Sequence, residues 1–249
     1  MPMPDLDQVR DFWTRNLNGM KFLDAAPKTA MEFRAASTLR YRYHYHLPGL
    51  FDRVAREYPG GRLLEIGCGM GDDTAEWVSR GMLVTAIDLT KPAVDTTRKR
   101  LALSGMQADV KLGNAEALDF PAATFDVVYS FGVLHHSPDT ERTIEEVRRV
   151  LRPGGKAEIM LYHRASLNYV VHRVLSYPFD GTAKDPCPVE HTYSRRQIRE
   201  MFARFSRSDI EVEYLFGTGY GLVNRLLPRV VHRKLGRLVG WHLMIEATK

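Results

Sequence analysis

The sequence lacks several features that would assign it to a specialised class of protein. Only two of its 249 residues are cysteines, Cys68 and Cys187, so we expect neither a disulfide framework nor a metal site. No apolar run approaches the roughly 20 residues of a membrane span. The first residues have neither the basic start nor the apolar core of a signal peptide. These absences predict a cytoplasmic protein.

The charge balance excludes little. The formal net charge is +5, which permits an anionic partner without requiring one. No RNA-binding module and no aromatic residues set in a basic groove are evident, so no nucleic acid is expected as a partner. The length suits one α/β domain with some additional segments.

The most informative stretch is residues 62–88, RLLEIGCGMGDDTAEWVSRGMLVTAID. A short apolar run at residues 63–66 predicts a buried strand, and a second strand follows at residues 83–87. Between them stand Gly67, Gly69 and Gly71, which allow a sharp turn and close approach of the backbone to a ligand. The second strand ends on Asp88, an acid placed to bind ribose hydroxyls. Together these features predict a nucleotide-binding βαβ unit.

The spacing of the glycines separates two kinds of nucleotide. A dinucleotide fingerprint reads G-x-G-x-x-G, because the pyrophosphate binds the helix N-terminus. Here the glycines alternate, and Asp72 and Asp73 follow at the start of the helix. Two carboxylates at this position are expected to repel a phosphate. The pattern therefore favours a ligand with a ribose and a cation but no phosphate.

The segments LLEIGCGMG and FDVVYSFGVLHH resemble motifs of the class I S-adenosylmethionine (SAM)-dependent methyltransferases, specifically the type 11 family. The resemblance covers about residues 60–160. It implies an α/β, Rossmann-like, seven-stranded and mostly parallel sheet with helices on both faces and strand 7 antiparallel. It also implies SAM as cofactor and a small-molecule methyl acceptor as partner.

The resemblance assigns cofactor-binding roles to residues at the strand ends. Asp88 is expected to hold the ribose, Asn114 and Ala115 the adenine, and Phe131 to border the methionine arm. The full predicted cofactor set is Glu65, Gly67, Cys68, Gly69, Gly71, Asp88, Leu89, Asn114, Ala115, Glu116 and Phe131.

Histidines are the candidates for a general base. Methyl transfer to a hydroxyl needs a base unless the nucleophile is already ionised, and histidine titrates near neutral pH. His135 and His136 follow the fourth predicted strand, and His163 follows the fifth. A structural role for the adjacent pair, in which one histidine caps a helix and the other packs, is an equal alternative. Two neighbouring histidines without a third ligand are a poor metal site.

We divide the chain into an N-terminal helical cap at residues 1–60 and a SAM-binding domain at 61–249. An insert at 162–194, rich in proline, is expected to cover the acceptor. The substrate candidates are Tyr41, Tyr45, Tyr162, His191 and Tyr193. Packing of the cap onto the main domain is the alternative role for the two cap tyrosines, which a helix would place together.

Residues 221–240 form an amphipathic segment in which Arg225, Arg229, Arg233 and Arg237 recur every fourth position. The favoured interpretation is that the apolar side packs on the domain while the charges stay in solvent. Peripheral contact with an anionic membrane and contact with an anionic substrate are the two alternatives.

The favoured function is therefore a SAM-dependent methyltransferase that modifies oxygen or nitrogen of a small molecule, with secondary metabolism as one setting. C-methylation of a quinone- or lipid-like acceptor is the alternative. An RNA-modifying methyltransferase and a SAM-binding protein without catalysis are less favoured. The oligomeric state stays open.

Overall fold

The computed structural model describes residues 5–20, 23, 25–215 and 228–249. Its centre is a seven-stranded sheet with the spatial order β3-β2-β1-β4-β5-β7-β6. The strands are β1 (Arg62–Ile66), β2 (Leu83–Asp88), β3 (Asp109–Leu112), β4 (Phe125–Phe131), β5 (Leu151–Tyr162), β6 (Arg207–Glu213) and β7 (His242–Thr248).

The sheet is parallel from β3 through β5, and β7 is antiparallel to both of its neighbours. This arrangement confirms the predicted fold class, including the direction of the last strand. The strand order reverses between β1 and β4. In open α/β sheets, ligands bind at such a switch point, outside the carboxyl ends of the strands.

Nine α-helices occur in the part of the chain that the structure describes. They are α1 (Leu6–Arg15), α2 (Ala30–Tyr43), α3 (Leu47–Glu57), α4 (Asp72–Ser79), α5 (Lys91–Leu103), α6 (Thr140–Val150), α7 (Leu167–Leu175), α8 (Arg195–Met201) and α9 (Arg229–Val239). None of the helices described is both long enough and apolar enough to cross a membrane.

Helices cover both faces of the sheet, as is usual for parallel strands, and the strands are therefore buried on both sides. One apolar core joins the sheet to α3, α4 and α5, with Phe51 and Trp77 fully buried in it. The second core lies on the opposite face beneath α6 and α8, where Val147 and Ile198 are fully buried.

The N-terminal region differs in detail from a simple cap. Helix α2 ends at Tyr43, one turn earlier than a continuous helix through residues 40–46 would require. The expectation that Tyr41 and Tyr45 lie together is therefore wrong. Tyr41 bonds to Asp73 at the start of α4, whereas Tyr45 bonds to Glu213 of β6.

The C-terminal amphipathic segment also differs from its favoured interpretation. Arg225 and the rest of residues 216–227 lie outside the described residues. In α9, Gly236 is buried, while Val230 and Leu238 are 65% and 69% exposed. The expectation that the apolar side of this segment packs on the domain is wrong for α9, because the side with the glycine makes the contact instead.

Candidate active site

The glycine-rich turn between β1 and α4 places the backbone at the switch point. Gly67, Gly69 and Gly71 have φ values of +84°, +53° and +74°, in the left-handed region that glycine adopts without strain. Space is also restricted at Gly67, where an added Cβ would lie 2.1 Å from a methyl group of Val133. The turn therefore requires glycine at position 67 both for its conformation and for its close packing.

The N–H groups of this turn are used inside the protein. Those of Gly67 and Cys68 donate to the Ile87 carbonyl at 2.8 and 3.1 Å, and that of Gly71 donates to the Cys68 carbonyl at 2.8 Å. The Gly69 N–H donates to the Asp88 carboxylate at 3.1 Å. A pyrophosphate site needs several N–H donors directed at the ligand. This turn does not direct these four donors outward.

The two acids at the start of α4 are paired with arginines. Asp72 lies 2.7 Å from Arg100, and Asp73 lies 2.6 Å from Arg40. Burial alone would raise the pKa of Asp73, but Arg40 and neighbouring hydroxyl donors hold it below its ordinary value. The prediction that these carboxylates repel a phosphate needs correction, since each is neutralised by an arginine. The better argument against a phosphate ligand is that the N–H groups of the turn already donate hydrogen bonds within the protein.

Asp88 ends β2 beside the turn. Its Oδ2 accepts from Gly69, and its Oδ1 accepts from the N–H and the hydroxyl of Thr90, both at 2.9 Å. Burial raises the pKa of the Asp88 carboxyl, while the hydrogen bonds from Thr90 and Gly69 oppose that rise. These bonds fix the carboxylate at the edge of a cavity, and Oδ2 is the oxygen with capacity for a ligand hydroxyl.

This nucleoside cavity lies across the carboxyl ends of β1, β2 and β3. Helix α1 covers it with Leu6, Val9 and Trp13. From the predicted cofactor set, the residues that line it are Gly67, Gly69, Asp88, Leu89, Asn114 and Ala115.

Asn114 is partly engaged already. Its Oδ1 accepts from the Glu116 N–H at 2.9 Å, which forms a local turn and leaves one lone pair on the amide oxygen. Glu116 is not among the lining residues; its carboxylate accepts from the Ser137 hydroxyl and from the Asp139 N–H. Gly71 also lines neither cavity, and a Cβ added there would contact Thr97. The structure therefore places neither Glu116 nor Gly71 in the lining of the cavities.

A second cavity, the acceptor cavity, opens on the other side of the turn. The two cavities share Gly67, Gly69, Gly132 and His136, together with Trp13 and Asn18 of the N-terminal region. Glu65, Cys68 and Phe131 line the acceptor cavity rather than the nucleoside cavity. Glu65 is buried and accepts from the Thr74 hydroxyl at 2.6 Å.

Aromatic rings form two walls of the acceptor cavity. On one wall the centroid of Trp241 lies 4.2 Å from Tyr162 and 4.7 Å from Phe179. On the other, His242 stacks on Tyr214 at 4.4 Å. All five residues line the cavity. Such walls suit a flat, unsaturated ligand, because aromatic faces and edges pack well against one another.

His136 lies where the two cavities meet. Its Nδ1 is 2.7 Å from the carbonyl oxygen of Val189. A carbonyl oxygen can only accept, so Nδ1 carries the hydrogen of this contact. Nε2 lies 3.7 Å from the carboxylate of Asp180. The ring therefore has a fixed orientation and lies beside a carboxylate.

The carboxylate of Asp180 is itself held in place. The hydroxyl of Tyr162 donates to Asp180 Oδ2 at 2.6 Å. The loop around Asp180 is anchored by Glu190, whose carboxylate accepts from the backbone N–H groups of Phe179 and Asp180. Burial, with the nearby charge of Asp180, raises the pKa of Glu190 to about 7.

Several predicted residues lie outside both cavities. His135 is fully buried behind His136, and His163 is buried with Nδ1 3.0 Å from the Gly240 carbonyl. The remaining four are Tyr41, Tyr45, His191 and Tyr193. Tyr162 and His136 are the only predicted catalytic or substrate residues among those lining the described acceptor cavity.

Sequence reasoning missed several residues that the fold brings to the cavities. Arg40 lines the acceptor cavity and holds Asp73 through Nε and Nη2 at 3.0 and 2.6 Å. Asn168 is 4% exposed, and its Oδ1 has no hydrogen-bond partner among the described residues. A buried amide of this kind in a predicted insert carries no distinctive sequence signal. Trp13 and Asp180 were visible in the sequence but had no spacing that linked them to the turn.

The strand order, with β7 antiparallel, and the cavity at the carboxyl ends of the strands define a Rossmann-like α/β domain. Residues 64–159 of this domain are similar to the type 11 family model described as a methyltransferase domain.

Curated relatives match the same central part of the chain. A 27-O-demethylrifamycin SV methyltransferase of Amycolatopsis mediterranei (strain S699) is 36% identical over 43% of this chain and 42% of the relative. A ubiquinone biosynthesis O-methyltransferase of Azoarcus sp. (strain BH72) is 37% identical over 39% of this chain and 42% of the relative. The chain thus spans less than half the length of these relatives.

A solved structure supports the fold over nearly the whole chain. A SAM-dependent methyltransferase from Thermotoga maritima, described as a possible histamine N-methyltransferase, superposes with a TM-score of 0.65. The match covers 97% of this chain and 99% of that chain at 20% sequence identity. At this identity the similarity establishes the fold alone.

Proposed function

We propose that the protein is a SAM-dependent O-methyltransferase whose acceptor is a planar, unsaturated small molecule with an ionisable hydroxyl. The observation that supports this most is the position of His136 at the junction of the two cavities. A base at that point is next to both the cofactor side and the acceptor side, where the proton must leave as the methyl group arrives.

The residues present fit SAM. Gly67 lines both cavities as bare backbone, and Asp88 offers its carboxylate Oδ2 to a ribose hydroxyl. The free lone pair of the Asn114 amide oxygen suits the adenine amino group. Arg40 lines the adjoining cavity and is the cation best placed for the methionine carboxylate. When bound, SAM supplies an electrophilic methyl group on a positively charged sulfur.

His136 and Asp180 manage the proton in this proposal. Nε2 of His136 would accept the proton of the acceptor hydroxyl. Asp180, at 3.7 Å, would stabilise the resulting imidazolium. Tyr162 holds the carboxylate in that position. The remaining contribution of the chain's own residues would be to hold the acceptor in place beside the cofactor.

The walls of the cavity set the acceptor class. Trp241 and Phe179 on one side and Tyr214 and His242 on the other favour a flat ring system. Burial lowers the pKa of His242, so this ring stays neutral and does not demand an anionic substituent. The unpartnered Oδ1 of Asn168 calls for a hydrogen-bond donor, because a buried acceptor without a partner costs about 1–3 kcal/mol. A second hydroxyl or an amino group on the acceptor would satisfy it.

The proposal is tested by measuring S-adenosylhomocysteine formation with a panel of acceptors. We expect turnover with phenols or catechols that carry a second hydrogen-bond donor and little with aliphatic carboxylates. Turnover restricted to aryl amines would mean that nitrogen, and not oxygen, is the atom methylated. A product methylated on a ring carbon would favour C-methylation of a quinone-like acceptor. If SAM binds but no class of acceptor is turned over, the protein binds SAM without catalysis, which would contradict the proposal.

The ribose assignment gives the first prediction. Asp88→Ala should weaken SAM binding by about 1.5–3 kcal/mol, the range for a hydrogen bond to a charged group, or roughly 10–150-fold in Kd. Isothermal titration calorimetry with SAM measures the change. Asp95→Ala is the control, because Asp95 is an exposed carboxylate on α5 that pairs only with Lys91 among the ion pairs described. Equal affinity in both variants would remove the ribose assignment.

The role of Asp180 gives the second prediction. Asp180→Asn keeps the side-chain shape but removes the negative charge beside His136 Nε2, and we expect kcat to fall about tenfold. A carboxylate stabilises the protonated imidazole, so its removal should make deprotonation easier. The acidic limb of the kcat profile should then move to lower pH, by about one unit for 1.4 kcal/mol.

The matched control for this variant is Asp209→Asn, an exposed carboxylate on β6 paired with Arg207. It should change neither kcat nor the pH profile. A merely structural role for Asp180 would lower kcat at every pH by the same factor, and that outcome would contradict the proposed function of this carboxylate.

A further inference from the structure

Helix α7 carries an apolar row that faces solvent. Leu167, Val170 and Val174 are spaced at i, i+3 and i+7, so they lie on one side of the helix. Their exposed fractions are 39%, 53% and 76%. The opposite side of the helix, which includes Asn168 and His172, lines the acceptor cavity. The helix thus separates the cavity from an outward apolar face.

Helix α9 has the same inverted arrangement. Val231, Leu235 and Leu238, at i, i+4 and i+7, are 39%, 37% and 69% exposed. The inward side carries Gly236, where a Cβ would lie 3.3 Å from the backbone nitrogen of Tyr214. An amphipathic helix normally buries its apolar side. In α9 the side with Gly236 packs closely against the backbone at Tyr214, so the apolar row on the other side is exposed to solvent.

The charged residues on the two helices themselves all have one sign. Neither helix contains an aspartate or a glutamate, although the whole chain has 30 of them. Helix α7 carries Arg173, and α9 carries Arg233, Lys234 and Arg237, the last of which pairs with Glu213 of β6. Apolar residues bordered by cations on a helix match the surface of an anionic bilayer, which takes up the apolar side and attracts the charges.

Both helices also adjoin the acceptor cavity. The ring of Phe179 lies 5.0 Å from His172 of α7 and 4.7 Å from Trp241, which follows α9. All three rings line the cavity. The chain thus connects both helices to the lining of the same cavity, α7 through His172 and α9 through Trp241, which follows it by two residues.

We propose that α7 and α9 together form a docking surface for an anionic lipid bilayer. The bound orientation places the acceptor cavity beside the lipid, where an acceptor that partitions into the bilayer is concentrated. The docking concerns this surface only and does not depend on which atom is methylated.

The test uses the purified full chain and sedimentation with lipid vesicles. Vesicles of phosphatidylcholine with about 30% phosphatidylglycerol supply the anionic surface, and phosphatidylcholine alone is the reference. We expect clear binding to the first, at least about tenfold weaker binding to the second, and loss of most binding when salt is raised from about 0.1 to 0.5 M. Circular dichroism confirms that each variant folds.

Two variants probe the rows separately, and a third is the control. Val174→Asp and Leu238→Asp place a charge in the apolar face of α7 and of α9, and each should weaken vesicle binding about tenfold. Met31→Asp adds the same charge at a residue that is 72% exposed on α2 and lines neither cavity, so it should bind as the parent does.

Any of three results would overturn the proposal. The first is absence of binding to the anionic vesicles, and the second is equal weakening by all three aspartate variants. The third is a dimer in analytical ultracentrifugation that Val174→Asp or Leu238→Asp dissociates, since a second copy of the chain would then be the partner of these rows.

Discussion

Replacing His136 with asparagine should lower kcat by about 10²–10⁴-fold while SAM affinity stays within a factor of about two, because a general base contributes to the rate in this range. Asparagine keeps an N–H donor for the Val189 carbonyl, which lies 2.7 Å from His136 Nδ1, but it has no basic nitrogen. The structural anchor of the loop is thereby retained while the base is lost. Steady-state kinetics and calorimetry with SAM separate the two effects.

His191→Asn is the matched control. This histidine lies outside both cavities; its backbone N–H donates to the His135 carbonyl, and its ring lies 6.3 Å from that of Tyr193. It should keep nearly full kcat. The base assignment fails if His136→Asn retains the parental kcat from pH 6 to pH 9, or if it loses activity only because SAM no longer binds.

Gly67→Ala should weaken SAM binding by about 100-fold or more. The residue has φ of +84°, where a side chain is strained, and its new Cβ would lie 2.1 Å from Val133 Cγ2. Left-handed strain costs about 1–3 kcal/mol, and forced overpacking costs about 1–3 kcal/mol more. Because Val133 also lines the nucleoside cavity, the clash displaces the surface that contacts the cofactor. Calorimetric titration with SAM measures the loss.

Two further variants separate strain from collision. Gly60→Ala has a similar φ of +68° but nothing within 4 Å of the new Cβ, so it should lower stability by about 1 kcal/mol without changing SAM affinity. The double variant Gly67→Ala with Val133→Ala removes both γ-methyl groups and should recover part of the binding. If Gly67→Ala binds SAM like Gly60→Ala does, the close contact at position 67 has no role in the cofactor site.

The residues that line the nucleoside cavity could largely be predicted because the information is local. Gly67, Asp88 and Asn114 each lie at or within two residues of the end of a strand, and parallel strands bring their carboxyl ends to one edge. Glu116 lies near such an end too, but its carboxylate is bonded to Ser137 and to the N–H of Asp139, and it is not among the lining residues. Whether such a residue lines the cavity depends on packing that no spacing encodes.

The acceptor half was not predictable in the same way. Its lining residues come from separate parts of the chain and meet only in the folded protein. They include Trp13 of α1, Asn168 of α7, Asp180 of the insert and Trp241 directly before β7. For α9, the sequence showed the spacing of the apolar residues, but this spacing does not determine which side of the helix packs on the domain. The contact at Gly236, a residue without a side chain, decides that question.

Helix α1 links the two halves mechanically. It covers the nucleoside cavity, and at its end Arg15 and Asn16 bind Asp185 at 3.3 and 3.1 Å, on the loop that also carries Asp180. A displacement of α1 is therefore expected to be transmitted through Asp185 to the loop that carries Asp180, so that the covers of the two cavities move together and not independently.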